Sequence, residues 1–236
     1  MATLEFQFYS KALKKVTTAN VILPEIHKTK EGVGNPGNTY KTLYLLHGLS
    51  GDHTNWLRKT SIERYANEYG IAVVMPDVGR SWYTDTAYGE KYFTFVAEEL
   101  PAVCRSYFKG MSDKREDNLI AGLSMGGYGA MKIALRCPDT FGGCASLSGA
   151  FDIFAAKRRK MCDDWQGLFG FDLKEPEQLC GTEHDVFALV HKNKEAGVPF
   201  PKLYLWCGES DALLPHNQKM RDLLTQQEIP HLYEES

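Results

Sequence analysis

A serine between small residues is the first feature with chemical consequence. Leu119-Ile120-Ala121-Gly122-Leu123-Ser124-Met125-Gly126-Gly127-Tyr128-Gly129-Ala130 reads as an apolar strand, a G-x-S-x-G turn and the start of a helix. A serine at the apex of a sharp strand-to-helix turn sits in strained backbone, and bulky side chains two residues away on either side would clash. Gly122 and Gly126 remove them. The turn also sets Ser124 at a helix N-terminus, where backbone N–H groups and the dipole favour developing negative charge. These are the requirements of a nucleophilic hydroxyl that forms a covalent intermediate. The motif alone recurs by chance, and its weight comes from the strand before it and the helix after it.

A nucleophile of this kind needs somewhere to hold an oxyanion. One donor in such a turn is the N–H of the following residue, here Met125. The other comes from the loop after a neighbouring strand, and Leu45-Leu46-His47-Gly48-Leu49-Ser50-Gly51 supplies one with glycines that let the backbone approach a bound carbonyl. Leu49 N–H is the expected second donor, and each donor is worth about 10²–10³ in rate. His47 reads as a brace for this loop rather than a catalytic group, and His53 as a loop histidine.

The acid is expected after a late strand. Leu203-Tyr204-Leu205-Trp206-Cys207 runs into Gly208-Glu209-Ser210-Asp211. Asp211, a short turn past the strand, is the favoured partner to orient a histidine and stabilise its imidazolium. Glu209 is the competitor. The histidine should follow the next strand, which reads as His231-Leu232-Tyr233-Glu234-Glu235 with Ser236 as the last residue. His231 lies at the wrong end of it, His216 opens the intervening helix, His27 precedes the sheet, and His184 and His191 lie in or beside an insertion. The expectation is that the sequence stops short of its general base, with that histidine beyond Ser236.

The elements that must position these groups have a clear texture. Leu4 to Tyr9 and Val16 to Leu23 read as half-buried strands. Short, nearly continuous apolar runs at Thr42 to Leu46, Ile71 to Met75, Leu119 to Ala121, Cys144 to Leu147 and Leu203 to Trp206 read as parallel strands buried on both faces. Helical spacing lies between them at Ile62, Tyr65, Ala66 and Tyr69, over Tyr92 to Tyr107 and over Tyr128 to Leu135. Strand–helix alternation predicts an α/β protein with a mostly parallel, doubly wound sheet and an antiparallel N-terminal strand pair, in one domain over 1–236. Residues 150–200, with Phe151, Phe154, Trp165, Phe169 and Phe171, break the rhythm and read as a small insertion over the strand ends.

Composition narrows the function classes. A net charge of −3 leaves no basic footprint for nucleic acid, and Lys157-Arg158-Arg159-Lys160 reads as a solvated helix face. No apolar stretch approaches the ~18 residues of a membrane span, and the N-terminus has no secretory pattern. Six scattered cysteines without a C-x-x-C pair read as reduced, mostly buried thiols, so neither a disulfide frame nor a metal site is expected and a cytoplasmic setting is the default.

Taken together, Leu46 to Gly51, Asn55-Trp56, Pro76-Asp77, Arg80-Ser81-Trp82-Tyr83-Thr84-Asp85, Tyr88-Gly89, Glu98-Glu99-Leu100-Pro101, Gly122 to Gly129 and Cys207 to Asp211 resemble the esterase D / tributyrin esterase family of α/β-hydrolases. That group includes S-formylglutathione hydrolases and is similar to mycolyltransferases and some feruloyl esterases. The resemblance runs along essentially the whole chain. It implies the α/β-hydrolase fold, hydrolysis of short acyl esters through an acyl-enzyme, no cofactor, and a small-molecule ester as partner. Self-association stays open. Ser124 and Asp211 match the family's triad positions, and Leu49 and Met125 its oxyanion donors. Trp56, Trp82 and Tyr83 are candidates to line the acyl pocket, with packing beneath the loops as the equal alternative. Two rival functions remain: a thioesterase of the S-formylglutathione type, and a non-catalytic binding protein that kept the turn and lost the base.

Overall fold

The computed structural model describes residues 1–24, 39–154, 165–170 and 176–236. Eight strands form one sheet: β1 (Ala2–Ser10), β2 (Lys15–Leu23), β3 (Thr42–Leu46), β4 (Ala72–Pro76), β5 (Asn118–Leu123), β6 (Gly143–Leu147), β7 (Lys202–Cys207) and β8 (His231–Glu235). Their order is β1-β2-β4-β3-β5-β6-β7-β8. β1 pairs antiparallel with β2, and β2 antiparallel with β4; every other pairing is parallel.

The apolar runs are buried on both faces, as expected. All five residues of β4 are buried. Alternate residues feed separate cores: Val21, Tyr44, Leu46, Val74 and Ile120 join the larger cluster, while Ile22, Leu45, Val73, Met75 and Ala121 join the smaller. That period-2 split follows from the pleat. Helices α1 (Asn55–Lys59) and α2 (Ile62–Tyr69) meet the smaller cluster through Trp56, Leu57, Ile62 and Ala66. The other helices meet the larger one.

The segment over 92–107, expected as one helix, is not uniform. α3 (Tyr92–Thr94) passes through a π turn (Phe95–Glu99) into α4 (Leu100–Tyr107). Pro101 lies in the first turn of α4 and has no N–H to donate to the preceding turn, so the α-helical ladder is interrupted there. The widened turn is put to use. Glu99, its last residue, accepts hydrogen bonds from the Lys11 and Ala12 N–H groups and the Ser10 hydroxyl, closing the β1–β2 hairpin.

Helix α5 (Met125–Arg136) runs through the middle of the larger core, buried from Met125 to Leu135. That stretch includes Lys132, which is 0% exposed and donates to the Thr84 hydroxyl at 2.7 Å. Burial, with the nearby Arg136 guanidinium, pushes the Lys132 ammonium down to about 7. A lysine with a folded pKa below its unfolded value carries a penalty that is complete below pH 7 and fades as pH rises. Resistance to urea is therefore expected to rise from pH 7 to pH 9, by about 2 kcal/mol from this group. The buried Cys104 and Cys144 thiols, pushed up to about 12, act in the opposite direction from about pH 8, where the unfolded thiols begin to ionise, so the contribution of Lys132 is read against a variant that lacks it. Lys132→Met should flatten the rise, measured as urea midpoints at the two pH values. Thr84 Oγ1 keeps a partner in that variant, because it also donates to the Trp82 carbonyl at 3.0 Å.

The described part of 150–200 holds α6 (Trp165–Phe169), a 3₁₀ turn (Pro176–Leu179) and α7 (Val186–Glu195); α8 (Leu214–Gln226) follows β7. Phe171, Lys157 to Lys160, Cys162 and His27 lie outside the described residues. Cys104, Cys144 and Cys207 are buried free thiols, Cys137 is half-buried and Cys180 exposed. Among the described residues no helix is long and apolar enough to cross a membrane.

Candidate active site

β5 delivers the chain to Ser124, which stands at φ 59° and ψ −114° ahead of α5. Left-handed backbone is costly for a residue with a Cβ and persists only where its surroundings over-determine it. Here they do. Ser124 N–H donates to the Leu147 carbonyl at 2.9 Å, and the Ser124 carbonyl accepts from Tyr128 N–H at 3.0 Å and Ala150 N–H at 3.1 Å.

The flanking glycines are required by contact. A Cβ on Gly122 would overlap the Gly126 carbonyl, and one on Gly126 would stand 2.7 Å from the His47 carbonyl oxygen and overlap the Leu46 carbonyl. The clash is thus partly between the two glycines and partly against the end of β3. The second contact is one that the motif alone does not reveal.

The loop after β3 lies against Ser124. A Cβ on Gly48 would sit 3.6 Å from the Ser124 Cβ. Gly51 N–H closes a tight turn onto the Gly48 carbonyl at 2.9 Å. Leu49 is half-buried between them. His47 pins the loop from below, 1% exposed. Its Nε2 accepts from Val78 N–H at 3.1 Å, so the ring proton is on Nδ1 and is donated to the Gly48 carbonyl at 2.8 Å. Burial lowers its pKa, so the 3.7 Å approach to the Asp77 carboxylate is not an ion pair. The Tyr83 hydroxyl adds a bond to the His47 carbonyl at 2.9 Å. Met125 N–H begins α5 and has no intrahelical acceptor. Among the described residues neither the Leu49 nor the Met125 amide meets a protein acceptor.

A cleft of about 660 Å³ opens here, lined by Leu49, Ser124, Asn55 and Arg80 among others. Of the three aromatic candidates, none is among its lining residues. Trp82 and Tyr83 are 1% and 0% exposed. Trp82 packs edge-on to Tyr128 at 5.7 Å between centroids, and Tyr83 fills the space that a Cβ on Gly129 would need. Trp56 donates its indole N–H to the Leu46 carbonyl at 3.1 Å and packs on the smaller core. All three occupy the packing alternative.

Across the sheet, β7 ends in the turn that carries Asp211. Asp211 N–H donates to the Gly208 carbonyl at 3.0 Å, and its Oδ1 accepts from Leu213 N–H at 2.8 Å, just ahead of α8. Glu209 is exposed. The buried Asn217 of α8 holds both backbone groups of Gly149, through Oδ1 and Nδ2 at 3.1 Å each, and the Leu213 carbonyl at 2.9 Å. Because Ala150 bonds Ser124, a continuous path ties the Asp211 turn to the Ser124 turn. Asn217 gave no signal in sequence, since nothing about an asparagine in a helical pattern marks it as buried.

His231 begins β8 opposite Leu203, at the N-terminal end of its strand, whereas Ser124 follows the C-terminal end of the parallel β5. His184 stacks edge-on to Phe169 and offers its carbonyl to the Tyr128 hydroxyl at 2.8 Å, and burial pushes its imidazole down to about 3. His191 is an exposed residue of α7, and His216 lies in the first turn of α8. The end of β8 lies beside the acid turn: Glu209 N–H donates to the Ser236 carbonyl and Ser236 N–H to the Cys207 carbonyl, each at 3.4 Å.

A doubly wound sheet with this strand order and a serine on the turn after β5 defines an α/β-hydrolase-type serine hydrolase scaffold. Residues 10–229 match the Esterase family model, described as "Putative esterase", and the chain belongs to that family. It is 35% identical over 243 residues to an acetyl esterase of Caldicellulosiruptor saccharolyticus, spanning 100% of this chain and 90% of the relative. Among solved structures, it is similar to FphF, a fluorophosphonate-binding serine hydrolase of Staphylococcus aureus, with 36% identity, a TM-score of 0.87 and coverage of 99% and 89%. It is also similar to the S-formylglutathione hydrolase FrmB of the same organism, with 34% identity, a TM-score of 0.84 and coverage of 99% and 90%.

Proposed function

We propose that the chain is a serine carboxylesterase that hydrolyses short-chain acyl esters through an acyl-enzyme on Ser124. The observation that carries this reading is a serine in left-handed backbone at the wall of a cleft that also exposes the Leu49 loop. In the first step Ser124 Oγ attacks the ester carbonyl carbon, and the electron pair moves onto the carbonyl oxygen. The Leu49 and Met125 N–H groups hold that oxyanion. The serine proton passes to a histidine, which returns it to the departing alcohol as the ester C–O bond breaks. Water activated by the same histidine then releases the carboxylic acid and restores Ser124, while Asp211 keeps the imidazole oriented.

The histidine is proposed to follow Ser236, because β8 leads to the turn that carries Asp211. With oxyanion and binding effects alone, residues 1–236 are expected to turn over slowly. When the histidine-bearing segment is joined to them, the protein should hydrolyse p-nitrophenyl acetate and take a fluorophosphonate label on Ser124. Labelling that survives Ser124→Ala would sink the reading.

A thioesterase activity is the second reading, supported by the 34% identity to an S-formylglutathione hydrolase. The oxyanion groups serve a thioester equally well. kcat/KM on S-formylglutathione against p-nitrophenyl acetate separates the two, and a strong preference for the oxyester removes the thioesterase.

A further inference from the structure

The cleft beside Ser124 has an uneven charge. Two of its lining residues are ionised, Lys59 and Arg80, and among the described lining residues none is an aspartate or glutamate. An adjoining depression sets Arg58 and Lys59 against a single carboxylate, Asp52. That carboxylate is already engaged, accepting from the Thr54 N–H at 2.8 Å and the Thr54 hydroxyl at 2.6 Å. The chain as a whole carries a net charge of −3, so the cleft runs against the sign of the molecule. Lys59 is exposed and makes no ion pair among the described residues.

Basic residues in the last turn of a helix complement its dipole, which accounts for Arg58 and Lys59 at the end of α1. Arg80 stands outside that helix. That residue comes from the loop after β4 and converges on the same space.

We propose that Lys59 and Arg80 select substrates bearing a carboxylate within reach of the scissile carbonyl. The proposal deepens the serine-hydrolase reading, on which it rests for the identity of the cleft. The sheet order indicates which half of the substrate meets them. The cations follow β3 and β4 on one side of β5, whereas Asp211 follows β7 on the other. The leaving group must face the proton shuttle on the Asp211 side, so the carboxylate best fits on the acyl half, as in a dicarboxylic half-ester.

Binding to Ser124→Ala protein, which holds esters without turning them over, tests the charge preference separately from catalysis. The probes are p-nitrophenyl hemisuccinate, charged on the acyl half; 4-acetoxybenzoate, charged on the alcohol half; and neutral p-nitrophenyl acetate. Calorimetry at low ionic strength should show the hemisuccinate binding about tenfold more tightly than the acetate, a size suited to two partly exposed cations. Lys59→Glu in the same background should erase the preference, and 0.5 M salt should weaken it. Tighter binding of 4-acetoxybenzoate alone supports carboxylate selection and moves the charge to the alcohol half. Equal affinity for all three esters, or a preference unaffected by Lys59→Glu, overturns the proposal. Ser124-dependent turnover of p-nitrophenyl acetate reports separately on the hydrolase reading, so the two failures are distinguishable.

Discussion

In protein that carries the histidine-bearing segment, Ser124→Ala is expected to lower kcat on p-nitrophenyl acetate by about 10⁶, the scale on which a serine nucleophile of another fold contributes. That is about 8 kcal/mol of barrier. The loss should fall on kcat with little change in KM, because the hydroxyl makes its decisive bond only as the tetrahedral carbon forms. The fold should not notice. The hydrogen bonds that secure position 124 all run through its backbone, to Leu147, Tyr128 and Ala150. Alanine has the same Cβ and therefore the same cost at φ 59°. A thermal melt of the variant superimposing on that of the parent, alongside lost turnover, is the outcome that separates catalysis from folding.

The second large effect is expected at Asp211. In the same histidine-bearing protein, Asp211→Asn should lower kcat by about 10⁴, because the amide presents the imidazole with the wrong partner and no charge. Asparagine keeps an oxygen for Leu213 N–H, so the start of α8 is preserved and the substitution isolates the electrostatic role. Glu209, two residues earlier and exposed, is the control: Glu209→Gln should stay within about threefold. Steady-state kinetics of the two variants on one ester decide between them, and a reversed pattern would reassign the acid.

Where sequence was informative, the reason is that a single physical constraint acted alone. β4 is legible as a strand because burial on both faces excludes polar residues from Ala72 to Met75. Gly122 and Gly126 are legible because nothing larger fits. The unreadable parts are those where two constraints compete. The helical period over 92–107 is right for most of its length, yet Pro101 and the hairpin carboxylate of Glu99 convert five residues to a wider turn. Trp56, Trp82 and Tyr83 are aromatic residues near a cleft, and composition cannot say whether such a ring faces the cleft or the core. Their positions depend on distant contacts, among them the Gly129 surface and the Leu46 carbonyl. Lys59 and Arg80 come from separate connections, so no spacing rule links them. In sequence, only distance past the strand favours Asp211 over Glu209.

The one carbonyl of Ser124 that anchors both Tyr128 and Ala150 has a wider implication. The helix behind the nucleophile and the first residue of the long excursion beyond β6 share a single acceptor. The backbone at Ser124 therefore has no hinge of its own. It cannot loosen without unfastening the central helix, one of the most deeply packed parts of the molecule. Sequence drift beyond Ala150 would leave Ser124 in place as long as the Ala150 N–H keeps its acceptor.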